Sequence, residues 1–198
     1  PCLPFGNYYF TKQSDINDFQ FNYPGCTNLA GDIVISGDDI TNLNGLNLVN
    51  TIDGGLTIGS SDFGGNPELN DLTGLSNLNS ISGCLSIYDN ESLMSLAGLD
   101  FIDPSSIFCL IIVNNMNLSY CEVESVCGYL VSPNGYTEIY WNAYGCDSQE
   151  AVEIACESVN IELLNTNETP HVFPNPHSGM VRFEYRLKKN THVTLSIF

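Results

Sequence analysis

Apolar residues recur at every third position in three successive stretches of this chain, and this spacing limits the folds that it can adopt. The clearest stretch runs from Leu69 through Leu72, Leu75 and Leu78 to Ile81. A period of three matches neither the roughly 3.6 residues per turn of an α-helix nor the alternation of a strand. It fits a 3₁₀ turn or a polyproline-like segment, and the sequence does not choose between them.

A short alternating segment, typical of a β-strand, precedes each stretch. Leu56-Thr57-Ile58 precedes the stretch just described. Equivalent strands begin at Ile33 and Leu85, a degenerate fourth copy begins at Leu110, and a last strand begins at Thr137. These starts lie 23, 29, 25 and 27 residues apart, a period typical of stacked repeats. The other two spaced stretches comprise Ile40, Leu43, Leu46, Val49 and Ile52, and then Leu93, Leu96, Leu99 and Ile102.

One repeat presents its apolar side chains on a single side and cannot bury them alone. Copies must therefore stack and share a continuous core, which pairs each strand with its equivalent in the next copy. The repeats predict a mainly β protein, with a parallel, in-register sheet in a β-solenoid of four to five short rungs. Gly45, Gly74 and Gly98 are predicted to lie where two backbones approach each other or where φ is positive.

In-register strands place their outward side chains in columns. One column runs Val34, Thr57, Ser86, Ile111, Glu138, the next Ser36, Gly59, Tyr88, Val113, Tyr140, and the preceding one Asp32, Gly55, Cys84, Cys109, Tyr136. Neighbouring parallel strands lie ~4.8 Å apart, so Cys84 and Cys109 are within disulfide range. The candidate ligand-binding residues are the apolar and aromatic ones at one end of these columns, because exposed patches of this kind often mark binding sites: Tyr88, Ile111, Val113, Tyr140 and Trp141. The alternative is that the C-terminal cap folds over them and buries them.

Eight cysteines in a chain of 198 residues are typical of an oxidising compartment. Zinc binding would need closer cysteine pairs than Cys121 and Cys127, which are six residues apart.

Residues 1–32 are rich in aromatic side chains and hold Cys2 and Cys26. We interpret this stretch as an N-terminal cap that is closed by a disulfide between those two cysteines and contains a short helical turn from Ser14 to Phe19.

Residues 117–157 are predicted to form a helical C-terminal cap. Ser119 and Glu122 match a capping box that would begin a helix ending near Val131. A second helix is predicted from Ser148 to Glu157, with Asp147 as its N-cap. The four cysteines of this region allow three pairings, and we favour Cys121 with Cys146 and Cys127 with Cys156.

Asparagines recur after the strands, at Asn90, Asn115 and Asn142. Asparagines at a repeated corner favour a hydrogen-bonded ladder over a calcium site. Acidic pairs such as Asp38-Asp39 also occur, but no calcium-binding loop motif is present. No cofactor or metal is expected.

Charge divides the chain near residue 170. Residues 1–170 contain 22 acidic residues and one basic residue, Lys12, whereas residues 171–198 contain one acidic and four basic residues. The acidic part would repel nucleic acid and anionic lipid. No apolar run approaches the roughly 20 residues that span a bilayer, so no membrane insertion is expected.

The repeats, the two caps and the change of charge together predict five segments: the cap (1–32), the repeats (33–116), the second cap (117–157), a polar linker (158–170) and a tail (171–198).

The repeat phrases GGLTIG, LTGLSNLNSI and GCLSIYDN resemble the receptor L-domain and leucine-rich-repeat-like modules of secreted proteins from Bacteroidetes-type bacteria. The resemblance covers roughly residues 25–157. It implies a right-handed parallel β-solenoid that presents a sheet face for binding an extracellular glycan or protein, without intrinsic catalysis.

The tail contains Pro174, Asn175, Pro176 and Gly179, followed by alternating stretches at 181–185 and 193–197. It resembles the opening of the C-terminal sorting domain used in type IX secretion. That resemblance implies the start of an immunoglobulin-like β-sandwich, recognition by the type IX secretion machinery and localisation outside the cell or on its surface.

Three functional hypotheses follow. The first is a secreted or cell-surface binding or adhesion module that is not an enzyme. The second is a structural spacer or accessory module of a larger type IX-secreted protein. The third, a glycan-active enzyme, would use paired carboxylates, but no nucleophile, zinc or phosphate-binding motif is present. The three histidines, His171, His177 and His192, all lie in the tail.

Overall fold

The computed structural model describes Cys2, residues 6–60 and 64–159, and two short strands in the tail. The chain forms two compact units, Pro1–Ile161 and Glu162–Phe198. The first contains β1 (Tyr8–Phe10), α1 (Gln13–Asn17), α2 (Phe19–Asn22), β2 (Asn28–Leu29), β3 (Ile33–Ile35), β4 (Thr51–Ile52), β5 (Leu56–Ile58), β6 (Ser80–Ile81), β7 (Leu85–Tyr88), β8 (Leu110–Val113), α3 (Glu124–Val131), β9 (Thr137–Tyr140) and α4 (Gln149–Val159). Three 3₁₀ turns span Asn44–Leu46, Thr73–Leu75 and Pro104–Ser106.

The repeats build a parallel, in-register sheet of six strands, ordered β1-β3-β5-β7-β8-β9. Leu56 of β5 lies opposite Ile33 of β3 on one side and Leu85 of β7 on the other. This register confirms the predicted parallel pairing. The first strand was not expected: the N-terminal segment, predicted only as a cap, adds β1 to the sheet by pairing Tyr8 with Ile33.

A second parallel sheet, ordered β2-β4-β6, pairs Leu29 with Ile52 and Ile52 with Ile81. The sequence analysis did not predict it. Its strands contain only two residues each, too few for alternation to be recognised as a pattern. Repeats that contribute a strand to each sheet place two rows of backbone hydrogen bonds around one core.

The residues spaced by three form that core. Every member of the three spaced stretches is no more than 2% exposed, and all belong to one hydrophobic cluster. The middle of the first two stretches adopts a 3₁₀ turn, one of the two conformations that the spacing allowed. A side chain at Gly45 would overlap the carbonyl group of Ile16, and Gly98 has a φ of +106°. The structure therefore bears out the roles expected of both glycines.

Four disulfides join all eight cysteines: Cys2 to Cys26, Cys84 to Cys109, Cys121 to Cys146, and Cys127 to Cys156. These are the pairs that the sequence analysis favoured. The Cα atoms of Cys84 and Cys109 are 4.5 Å apart, as their equivalent positions on adjacent strands require. Such a set of disulfides is typical of proteins from oxidising compartments.

The predicted capping box at Ser119 is wrong, because α3 begins at Glu124 with Val123 as its N-cap. The backbone just before it is held by the previous repeat instead. Tyr120 N–H donates to the Met94 carbonyl group at 3.2 Å, and its own carbonyl group accepts from Leu96 N–H at 2.9 Å. These bonds extend the chain and delay the start of the helix.

The predicted N-cap of α4 is also wrong by one residue. Ser148 Oγ accepts a hydrogen bond from Ala151 N–H at 3.2 Å, which is the contact of an N-cap side chain. Asp147 Oδ1 accepts from Gly145 N–H at 3.2 Å instead. The helix itself, Gln149–Val159, covers most of the predicted range.

The second unit contains β10 (Phe173–Pro174) and β11 (Val181–Arg182), which pair antiparallel. Asn175, Pro176, Gly179, the three histidines and the strand predicted at 193–197 lie outside the described residues. None of the helices in the described part of the chain has the length and apolar character that a membrane-spanning helix requires.

Candidate functional site

The candidate site lies on the outer face of β7, β8 and β9. The strand registers align Ser86, Ile111 and Glu138 in one column. They align Tyr88, Val113 and Tyr140 in the next. The structure therefore brings four of the five candidate residues onto neighbouring strands of one face.

Two of those candidates are not exposed. Ile111 and Val113 are only 6% and 7% exposed, and with Cys109 they form a small cluster separate from the main core. The partly buried side chains of Cys84 and Tyr88 pack against it. The expected open apolar patch is corrected accordingly: β8 fills the outer face with its own cluster, which we call the outer apolar cluster.

Tyr88 lies at the border of this cluster. Burial raises the pKa of its phenol, and a hydrogen bond with Ser86 partly opposes that effect. Tyr136, Glu138 and Tyr140 raise the same pKa further through electrostatic repulsion. All three belong to the outer face of β9 or to the residue before it.

The exposed part of the site consists of three aromatic residues at β9. Tyr136, Tyr140 and Trp141 are 53%, 40% and 70% exposed. The Tyr140 and Trp141 rings meet edge to face, with centroids 5.2 Å apart and planes at 88°. Glu138 lies between Tyr136 and Tyr140 on the same face and is also exposed. We call Tyr136, Tyr140 and Trp141 the outer aromatic cluster; Tyr136 was not among the predicted candidates.

The corner after each strand has the same backbone conformation in three successive repeats. Asp89, Asn114 and Trp141 have φ values of 54°, 59° and 57°. Asparagine and aspartate tolerate this left-handed conformation better than other side chains, whereas a bulky residue there is an outlier. The Asn114 side-chain amide also donates to Asp89 Oδ1. Trp141 is therefore the exception in this series.

An asparagine ladder, made of Asn66, Asn90, Asn115 and Asn142, supports these corners. The side-chain amide of each of the first three donates to the Oδ1 of the next asparagine, at 2.9, 3.0 and 3.1 Å. All four amides also donate to a carbonyl group at or next to the end of a strand in the preceding repeat, at Ile35, Ile58, Ile87 and Ile112 respectively. This confirms the predicted ladder and shows how its amides satisfy backbone groups at each turn.

The sequence analysis missed the first member of the ladder, Asn66. A signal was present, because Asn66 precedes Leu69 by three residues, just as Asn90 precedes Leu93 and Asn115 precedes Leu118. Asn66 lies farther from the end of its strand than Asn90 and Asn115 do, because this repeat is longer. The pattern of asparagines directly after the strands therefore does not include it.

The first unit also has a groove between two of its helices. A groove of about 480 Å³ lies between α3 and α4, with Glu124, Glu153, Glu157 and the Cys127–Cys156 disulfide among its described lining residues. Those residues include no histidine, serine or threonine. In the part of the chain that the structure describes, no three His, Cys, Asp or Glu side chains are placed to hold a metal ion.

Comparison of the chain with protein-family models, with curated proteins and with solved structures found no match.

Proposed function

We propose that this protein is a secreted or cell-surface binding or adhesion module that is not an enzyme and that recognises a glycan or a protein through the outer face of β7 to β9. The proposal includes a right-handed parallel β-solenoid of the receptor L-domain or leucine-rich-repeat-like type. Two parallel sheets that share one apolar core support that architecture.

The observation that carries the proposed function is the outer aromatic cluster. Its three rings remain substantially exposed although the adjacent outer apolar cluster is buried. Exposed groups of aromatic side chains on a rigid sheet are typical of binding sites, because the rings offer contact area at a small cost in conformational entropy. A spacer would need no such group.

The test is a glycan and protein array probed with the full chain. The wild-type protein should bind at least one ligand, and Tyr88→Ala and Tyr140→Ala should weaken that binding at least about tenfold. Phe101→Ala is the matched control, because Phe101 is an exposed aromatic residue outside the six-stranded sheet. Binding that survives all three substitutions equally would contradict the outer face as the binding site, and no binding by the wild-type protein would favour the structural spacer.

For the tail we propose the start of an immunoglobulin-like sorting domain that is recognised by type IX secretion. The Pro174 to Gly179 motif and the reversal of charge beyond residue 170 support it. The test is export from a host that has this machinery. Deleting residues 171–198 should stop release of the chain into the medium, and release that continues after the deletion would contradict the proposal.

A further inference from the structure

Trp141 occupies a backbone position that disfavours it. The two equivalent corners carry Asp89 and Asn114, which suit a left-handed backbone. A side chain with a bulky Cβ substituent costs roughly 1–2 kcal/mol in this conformation. Strain of this kind persists when the surrounding structure enforces it, and it often occurs at functional sites.

Burial of the indole ring does not compensate for this cost. Trp141 is 70% exposed, and its indole ring meets the Tyr140 ring edge to face. Asparagine at this corner would keep the backbone conformation and extend the Asp89–Asn114 pair by one repeat. The requirements of the fold therefore do not explain the tryptophan at this corner.

The groups around Trp141 indicate which ligand chemistry would suit this corner. The Tyr140 and Trp141 rings stand at 88° to each other and form two walls. The faces of aromatic rings are negative and attract the slightly positive C–H groups on the apolar face of a pyranose ring. Glu138 and Asn114 are exposed on the adjacent part of the same surface and can accept or donate hydrogen bonds with hydroxyl groups. A few polar groups beside aromatic side chains are typical of sites that bind small ligands.

Charge narrows the class of ligand. The only basic residue in residues 1–170 is Lys12, next to α1 at the other end of the sheet. An anionic ligand would meet Glu138 without a compensating cation from residues 1–170 at this end of the sheet. A neutral ligand avoids that repulsion.

We infer that Trp141 and Tyr140, with Glu138 and Asn114 at their border, form a subsite for a neutral pyranose unit of a glycan. This inference rests on the proposed function, which it narrows from a glycan or protein to one chemical class. Trp141 provides the main stacking surface, and Tyr140 holds the indole ring and contributes the second wall.

The experiment uses the single tryptophan of the chain as its reporter. The full chain is titrated with hydroxyethyl cellulose, laminarin and galactomannan as neutral probes, and with polygalacturonate as an anionic probe. At least one neutral probe should change the tryptophan fluorescence and retard the protein in a native gel that contains the same polysaccharide. Polygalacturonate should do neither.

Three substitutions complete the test. Trp141→Asn keeps the left-handed corner and should remain folded by circular dichroism, yet lose gel retardation at least about tenfold. Tyr140→Ala should weaken the fluorescence response to a similar extent. Tyr9→Ala is the matched control on the same face, because Tyr9 is 64% exposed on β1, five strands and about 24 Å away.

Each outcome decides the inference. Binding that Trp141→Asn leaves intact, or the absence of any response to the three neutral probes, overturns it. The proposed function survives that failure if the array identifies a protein ligand that Tyr88→Ala and Tyr140→Ala no longer bind. If the array also shows no ligand, both proposals fail.

Discussion

The inner and outer faces of the six-stranded sheet differ in how similar their side chains are from one repeat to the next. On the inner face, equivalent positions repeat one kind of side chain, as in Ile58, Ile87 and Ile112, which are all fully buried. On the outer face, the aligned residues Thr57, Ser86, Ile111 and Glu138 differ in size, polarity and charge.

The difference shows where burial constrains the sequence and where it does not. An inner residue must fill a dry space shared with the repeats before and after it, so its size and polarity are prescribed. An outer residue does not have to fit that shared core, so its identity can follow function. Trp141 and the exposed tyrosines occur on the unconstrained side, and the following predictions test this contrast from the largest expected effect to the smallest.

Leu56→Ala should cost about 4 kcal/mol of unfolding free energy, because Leu56 is fully buried and the repeats on both sides prevent collapse of the resulting cavity. Thr57→Ala is the matched control, since Thr57 is the next residue in β5 and faces outward. It should cost less than about 1 kcal/mol. Urea unfolding followed by circular dichroism measures both, and equal costs would contradict the assignment of the two faces.

Asn90→Ala should cost about 3 kcal/mol, because it leaves buried hydrogen-bonding groups at Ile58, Asn66 and Asn115 without this partner. The control is Asn79→Ala at an exposed position, with an expected cost below about 0.5 kcal/mol. The same unfolding measurement applies. A cost at Asn90 no larger than at Asn79 would show that the ladder does not stabilise the corners.

Trp141→Asn should stabilise the protein by about 1 kcal/mol, because it relieves the left-handed strain and removes little buried surface. Trp141→Phe keeps an aromatic side chain at the strained corner and should change stability by less than about 0.5 kcal/mol. Thermal unfolding of the three proteins measures the effect. Destabilisation by Trp141→Asn would mean that the indole ring contributes to the fold.

Tyr88→Phe should reduce the loss of stability above pH 10. The phenol has an ordinary pKa of 10.0 in the unfolded chain and a raised pKa in the folded protein. As pH rises past 10, the unfolded state therefore loses its proton first and gains stability relative to the folded state. Urea midpoints at pH 9 and pH 11 should differ less in Tyr88→Phe than in the wild-type protein, while Tyr144→Phe, at an exposed position, serves as control. An identical pH dependence in Tyr88→Phe and wild type would contradict the effect.

The sequence by itself determined the parallel register, the buried inner positions of the repeats and the Cys84–Cys109 pair. The physical reason is that equivalent positions of the repeats face the same shared core and therefore carry the same kind of side chain. Aligning the repeats is then sufficient to place these residues. Three of the four ladder asparagines were predictable for the same reason, since Asn90, Asn115 and Asn142 directly follow the corners of aligned strands.

Only the tertiary structure decided what depends on neighbours outside a residue's own repeat. β1 joins the sheet because the N-terminal segment returns to the edge of β3, and α3 begins late because Met94 and Leu96 hold the backbone before it. Ile111 and Val113 pack with Cys109 and against Cys84 and Tyr88 of the preceding repeat, and the sequence of β8 alone does not predict these contacts. The strained backbone of Trp141 likewise depends on the corner that the asparagine ladder supports. The left-handed conformation of Trp141 could therefore not be predicted from the sequence.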